Sequence, residues 1–298
     1  MSGRIVVGID GSEHSGGALD WAVARARLGG EQLELVHAYS PVPAVPTGDL
    51  YGLHDLAASQ TVEWYAELAE QLLETAAGRV RELAPELTCT TRARPGQPGP
   101  VLMAASEDAD AVVIGRRGLG NAVGALLGSV SNQMATDATC PVVVVGEGEV
   151  PTTGPIVVGV DESQFGISAL RFAIDEAALR GTSVRAVTAY DVLQPAGFRA
   201  DPELVERLQA DVEGGVADLV DRVLGETPGG DAVSVEHVAV HAEAAPAILG
   251  HAGNAQLIVV GTHGKGLVRR VLLGSVSRDV LHGADRPVAV VDVGKGLI

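Results

Sequence analysis

A chain of 298 residues corresponds to about two domains at the usual ~150 residues each, and each would be large enough to bury its own core. Hydrophobic residues make up 46% and charged residues 20%, with a mean hydropathy of +0.23, which excludes a disordered chain. The 21 basic residues against 38 acidic ones leave a charge of −17, and aromatics are only 3%, so nucleic acid and anionic membranes are excluded as expected partners.

Met1 to Arg4 runs straight into Ile5-Val6-Val7 without a hydrophobic region of signal-peptide length, and no apolar run approaches the ~18 residues of a membrane span. A soluble, cytoplasmic protein is expected. Cys89 and Cys140 are the only cysteines, far apart and outside any CxxC, so neither a disulfide framework nor a cysteine-rich zinc site can be built.

Short Val/Ile-rich runs alternate with helical stretches along the first half. The pattern predicts strands near 4–9, 32–39, 87–94, 111–115 and 141–145, with helices near 13–28, 59–84, 98–107 and 129–138. Near-continuous apolar runs such as Val142 to Val145 suit strands covered on both faces. The expected fold class is therefore α/β, with doubly wound parallel sheets.

The chain is then written a second time. Arg4-Ile-Val-Val-Gly-Ile-Asp10 returns as Pro155-Ile-Val-Val-Gly-Val-Asp161, and Val112-Val-Ile-Gly115 returns as Ile258-Val-Val-Gly261. A repeat of this length is a whole domain rather than a solenoid unit. Residues 146–155, rich in Gly, Pro and Thr, read as a linker between domains 1–147 and 154–298.

In a doubly wound sheet, ligands sit beyond the carboxyl ends of the strands where the winding reverses, here after strands 1 and 4. Strand 4 is followed by Gly115-Arg116-Arg117-Gly118-Leu119-Gly120 and then Gly128-Ser129-Val130. Its second-copy counterpart is Gly261-Thr262-His263-Gly264-Lys265-Gly266, followed by Gly274-Ser275-Val276. Both fit G-x2-G-x9-G-S. Glycines allow close backbone approach to a polyphosphate, and the N–H groups of Gly128, Ser129 and Val130 are expected to face it with the positive end of a helix dipole behind them. The alternative is that these glycines only end strands and cap helices. Acid-free basic islands around both loops favour an anion: Arg116 and Arg117 in one, and Lys265, Arg269, Arg270 and Arg278 in the other.

Other nucleotide motifs are absent. There is no G-x-x-x-x-G-K-[ST], and the first strand ends in Gly8-Ile9-Asp10-Gly11 rather than G-x-G-x-x-G. Ser15-Gly16-Gly17 is faintly like a pyrophosphate loop, but the second copy has Gly166-Ile167-Ser168 there. His37 is replaced by Thr188 in the second copy, which argues against a catalytic role. His237 and His241 share a strand face, yet the first copy offers Arg92 and no second histidine, so no metal site is assigned.

These residues closely resemble the universal stress protein family in its tandem form. The resemblance rests on the repeated glycine signature, the aspartate after strand 1, Val36-His37-Ala38 after strand 2, and the closing Cys140-Pro141-Val142 and Arg286-Pro287-Val288 strands. It implies a 3-2-1-4-5 parallel sheet in each domain and ATP as ligand, with magnesium possible alongside the nucleotide. Gly8 and Asp10 would line the nucleoside side, the Ala38 backbone would meet adenine, and Gly115, Gly118, Gly128 and Ser129 would hold ribose and phosphates. The matching second-copy residues are Gly159, Asp161, Ala189, Gly261, Gly264, Gly274 and Ser275.

Asp10 suits sugar hydroxyls, though a carboxylate before a helix N-cap is also a common turn-former. Glu162 in place of Gly11 adds a carboxylate to the second site. The resemblance further implies that Val142–Val145 pairs with Val288–Val291 within the chain, and that regulatory protein partners or a homodimer exist. A nucleotide-dependent stress regulator is the expected function. A slow ATP-using enzyme and a dimerisation module that binds nothing stand as alternatives.

Overall fold

Each half opens with a buried apolar strand, Arg4–Gly8 (β1) or Ile156–Gly159 (β6), that delivers an aspartate to the start of a helix. In the computed structural model, residues 3–40, 53–118, 127–148, 151–190, 202–264 and 273–293 are described. The contacts divide the chain into two compact units, Met1–Met134 and Ala135–Ile298.

In the first unit β1 is followed by α1 (Glu13–Gly29), β2 (Gln32–Tyr39), α2 (Leu53–Leu83), β3 (Cys89–Pro95), α3 (Pro98–Ser106) and β4 (Ala111–Gly115), with α4 (Ser129–Asp137) running across the division. β1 pairs in parallel with both β2 and β4, and β2 pairs with β3, which gives the order β3-β2-β1-β4. α2 begins six residues earlier than its periodicity predicted, and β3 two residues later. Both differences are at element ends, where propensity is weakest.

The second unit contains β5 (Val142–Val145), β6, α5 (Gln164–Arg180), β7 (Val184–Tyr190), α6 (Pro202–Glu226), β8 (Val235–His241), α7 (Ala244–Gly250), β9 (Leu257–Gly261), α8 (Ser275–Gly283) and β10 (Val288–Val291). The second copy runs β8-β7-β6-β9-β10, all parallel, so the 3-2-1-4-5 order is complete within this unit. β5 lies antiparallel on β10, with Val144 opposite Val288 and Val142 opposite Val290.

The reason for these strands is burial on both faces. Val6, Val7, Val112 and Val113, and likewise Val157, Val158, Ile258 and Val259, are fully buried, and each such side chain contributes on the order of 1.5–3 kcal/mol. α1 and α5 are fixed at both ends. Ser12 and Ser163 cap them by accepting from the N–H of Ser15 (3.2 Å) and Gly166 (3.0 Å), and Gly30 and Gly181 end them in the left-handed region at φ 75° and 63°.

The β5–β10 ladder predicts slow hydrogen exchange at the amides of Val142–Val145 and Val288–Val291. Hydrogen-exchange mass spectrometry should find both segments among the last to exchange, and rapid exchange of the two together would contradict the ladder.

Candidate functional site

The aspartates that follow β1 and β6 have their two oxygens in different environments. Asp10 Oδ1 accepts from the Ser12 N–H (3.0 Å) and Ser12 Oγ (2.6 Å), and Asp161 Oδ1 accepts from the Ser163 N–H (3.0 Å) and Ser163 Oγ. The second oxygen faces the glycine loop. A Cβ on Gly264 would stand 3.1 Å from Asp161 Oδ2, and one on Gly118 would fall on Asp10 Oδ2. The loop passes directly over the carboxylate, so a side chain at Gly118 would have to push that oxygen aside, whereas one at Gly264 would need it to give only slightly.

The other glycines answer to different neighbours. A Cβ on Gly115 would lie 2.7 Å from His14 Cβ and 2.8 Å from the His14 carbonyl carbon. One on Gly261 would meet Phe165 at 2.8 and 2.9 Å. Close contact of the first turn of α1 or α5 with the strand end therefore requires these two glycines, whatever ligand is bound. Gly128 also departs from expectation. Its N–H already donates to the Arg116 carbonyl (2.9 Å), as the Gly274 N–H does to Thr262 (2.9 Å), so neither is left for a phosphate. The first-turn N–H groups of α8, at Ser275, Val276 and Ser277, have no intrahelical acceptor, and Ser129 and Val130 open α4 in the same way.

Two serines unnoticed in the sequence hold the loops. Ser131 Oγ donates to the Gly115 carbonyl (2.8 Å), and Ser277 Oγ to the carbonyls of Thr262 (3.1 Å) and Gly274 (3.0 Å). Both are buried, and the signal available was the Ser-Val-Ser shared by the two copies after the last glycine.

In the second half these elements enclose a cavity of about 750 Å³. Gly159, Asp161, Ala189, Gly261, His263, Gly264, Gly274, Ser275 and Val276 all line it. Thr262 does not, because its buried hydroxyl turns to Asp292 Oδ1 at 3.1 Å. Sequence reading missed the apolar walls Val160, Val187, Val216, Leu219 and Ile248, and also Asp211 and Gly215 of α6. Gly120, Lys265 and Gly266 lie outside the described residues, as do Arg269 and Arg270.

In the first half, Gly8 and Ala38 stand at the ends of β1 and β2, the positions that Gly159 and Ala189 hold in β6 and β7. Arg116 is half-buried, with Nε and Nη2 inside, whereas Arg117 and Gly118 are exposed. His263, at the position of Arg117, is instead buried with its ring 5.2 Å from Phe165. Arg278 lies 3.3 Å from Asp279, both side chains being exposed.

His37 Nδ1–H donates to the Ile9 carbonyl (2.6 Å), and Thr188 Oγ1 donates to the Val160 carbonyl (3.0 Å). The two unlike residues thus perform one structural task. His241 stacks on Tyr190 at 5.4 Å, and among the described residues no group of three or more His, Cys, Asp or Glu is placed to hold a metal ion. No described helix is long and apolar enough to cross a membrane. Cys89 and Cys140 are free thiols, and burial pushes the Cys89 thiol up from its ordinary pKa, with nearby Arg81 opposing.

The pattern of the Universal stress protein family matches residues 1–146 and again 152–292. A universal stress protein of Mycobacterium tuberculosis is 34% identical over 96% of this chain and 94% of its own. A second protein of that name from the same species is 32% identical over 96% of each. The crystal structure of a universal stress protein from Archaeoglobus fulgidus superposes with a TM-score of 0.69 at 22% identity, covering 99% of this chain and 100% of that one, which shows the shared fold.

The glycine geometry predicts two kinds of variant. Gly261→Ala should cost about 1–3 kcal/mol of unfolding free energy, because the new methyl meets backbone that cannot swing away. Gly264→Ala meets a side-chain oxygen at 3.1 Å and should stay within about 1 kcal/mol of the parent. Urea unfolding of the two variants checks the order, and equal losses would contradict it.

Proposed function

Because the chain belongs to the universal stress protein family, we propose that it is an ATP-binding regulator with one nucleotide site in each half. The observation that carries this reading is the second-half cavity, which places a carboxylate, a glycine loop and a helix N-terminus around one space beyond β6 and β9. Its volume of about 750 Å³ falls in the range of small-molecule and cofactor pockets, ~300–1,000 Å³.

The lining fits a nucleotide end to end. Val160, Val187, Val216, Leu219 and Ile248 supply apolar walls for a base, and the backbone at Ala189 offers its polar edge a partner. Asp161 Oδ2, whose fellow oxygen is held by Ser163, is the acceptor for ribose hydroxyls. Gly264 and the opening turn of α8 suit the phosphates, since unpaired N–H groups and the helix dipole both favour an anion. Any magnesium would arrive on the phosphates. Asp10, Gly118, Ser129 and Val130 take the same parts in the first half.

Regulation rather than turnover follows from what the two sites share. Of the loop residues only Lys265 is a lysine, Leu119 standing in its place in the first copy, and the shared carboxylates spend one oxygen on a helix cap. Among the described residues, Asp10 and Asp161 are the candidate bases that the two sites share, and each is tied to its capping serine, so hydrolysis is expected well below the ~1 per second of ordinary enzymes. The nucleotide then acts by occupancy, stabilising the conformation that binds it and biasing the choice of protein partner.

Purified protein should release adenine nucleotide on denaturation, identified by mass spectrometry, and should bind added ATP in calorimetry. Asp161→Ala should weaken the second site by about tenfold or more, the cost of one lost hydrogen bond to a buried polar group. Absence of any nucleotide, bound or added, would overturn the reading, and turnover above ~1 per second would convert it to an enzyme.

A further inference from the structure

The two halves are related by sequence, yet they differ where the long helix passes over the site. α2 and α6 bury the same face: Leu73, Ala77 and Val80 in the first, Val216, Val220 and Val223 in the second. That register makes Leu72 the counterpart of Gly215 and Leu68 the counterpart of Asp211. In the second half Gly215 and Glu162 both line the cavity, and even a Cβ on Gly215 would lie 4.0 Å from Glu162 Oε1. In the first half the sizes are exchanged. Glu162 becomes Gly11, at φ +84°, and the Leu72 side chain reaches over it, with Cδ1 3.2 Å from where a Cβ would stand. Leu72 is half-buried and continues outward into Leu68 and Trp64, which share its helix face at four-residue spacing and are exposed.

We propose that Leu72, seated on Gly11, covers the first-half nucleotide site, whereas the small residue Gly215 leaves the second open, so that the second half is the resident high-affinity site and the first binds only when Leu72 moves aside. This deepens the nucleotide reading given above and rests on it. The steric argument is direct. In the second half the space beyond the aspartate turn belongs to the cavity, and the equivalent space in the first half holds four side-chain carbons. A ligand must displace them at the expense of their burial. The polarity of the two mouths differs in the same sense: Glu162 and Asp211 are carboxylates that tolerate water, whereas Leu72 and Leu68 gain by closing.

The test is ATP titration of the full chain by calorimetry. Wild-type protein should show one tight and one weaker class, separated by about tenfold or more, the scale on which a few methylenes discriminate in a pocket. Leu72→Ala should tighten the weak class by a similar factor and leave the tight class unmoved. Gly215→Leu should remove the tight class. Since that variant crowds Glu162, the double variant Glu162→Gly with Gly215→Leu transplants the pair that the first half already folds around, and it should be folded by circular dichroism and still lack tight binding. Two equal classes in the wild type, or a tight class retained in the double variant, would overturn the occlusion while leaving the nucleotide reading in place. No ATP binding in either wild type or Leu72→Ala would overturn both.

Discussion

The carboxylate at the end of β1 and of β6 joins two elements that the chain keeps about a hundred residues apart. One oxygen is held by the serine that caps the following helix, and the other faces the glycine loop after β4 or β9. Parallel pairing of β1 with β4, and of β6 with β9, puts the two strand ends side by side, so the loop has to pass over the aspartate. Most of the site's peculiarities follow. Gly118 and Gly264 are small because of the carboxylate, Gly115 and Gly261 because the capped helix starts against the strand, and Ser131 and Ser277 are buried because the loop's carbonyls need donors.

Duplication lets one half serve as a control for the other. His37 and Thr188 look unrelated, yet both bind the carbonyl that follows the first strand, which gives the two residues a shared structural task. His14 and Phe165 likewise present backbone and Cβ atoms to the same glycine position. Where both halves keep a residue type, as with the aspartate, the capping serine and the loop glycines, the constraint is the backbone geometry of the site. Where the halves diverge in a compensating pair, Gly11 with Leu72 against Glu162 with Gly215, the sizes on the turn and on the helix are exchanged.

The α/β class, the tandem arrangement and the loops of the candidate site were legible because they depend on local patterns: buried strands as unbroken Val/Ile runs, and the candidate loops as glycines recurring at one spacing. A repeat strengthens each signal, since a chance motif does not recur in register. Assignment of purpose to individual glycines was not legible. Gly115 and Gly118 stand three residues apart in one motif, yet one accommodates a helix and the other a carboxylate, and spacing carries no information about what lies across a contact.

What the sequence by itself determined is thus the order of elements, their polarity and the strand ends where a ligand could sit, because hydrophobic period and turn chemistry act between neighbours in the chain. Only the tertiary structure decided which N–H groups remain available, since Gly128 and Gly274 spend theirs on carbonyls of their own loops. It alone brought α6 over the second site and so supplied Asp211, Gly215, Val216 and Leu219 to the cavity wall. The physical reason is that helix packing is set by complementary volumes across the sheet: the same amphipathic pattern places a helix over the site in both halves, and a single side chain, leucine or glycine, decides what space is left beneath it.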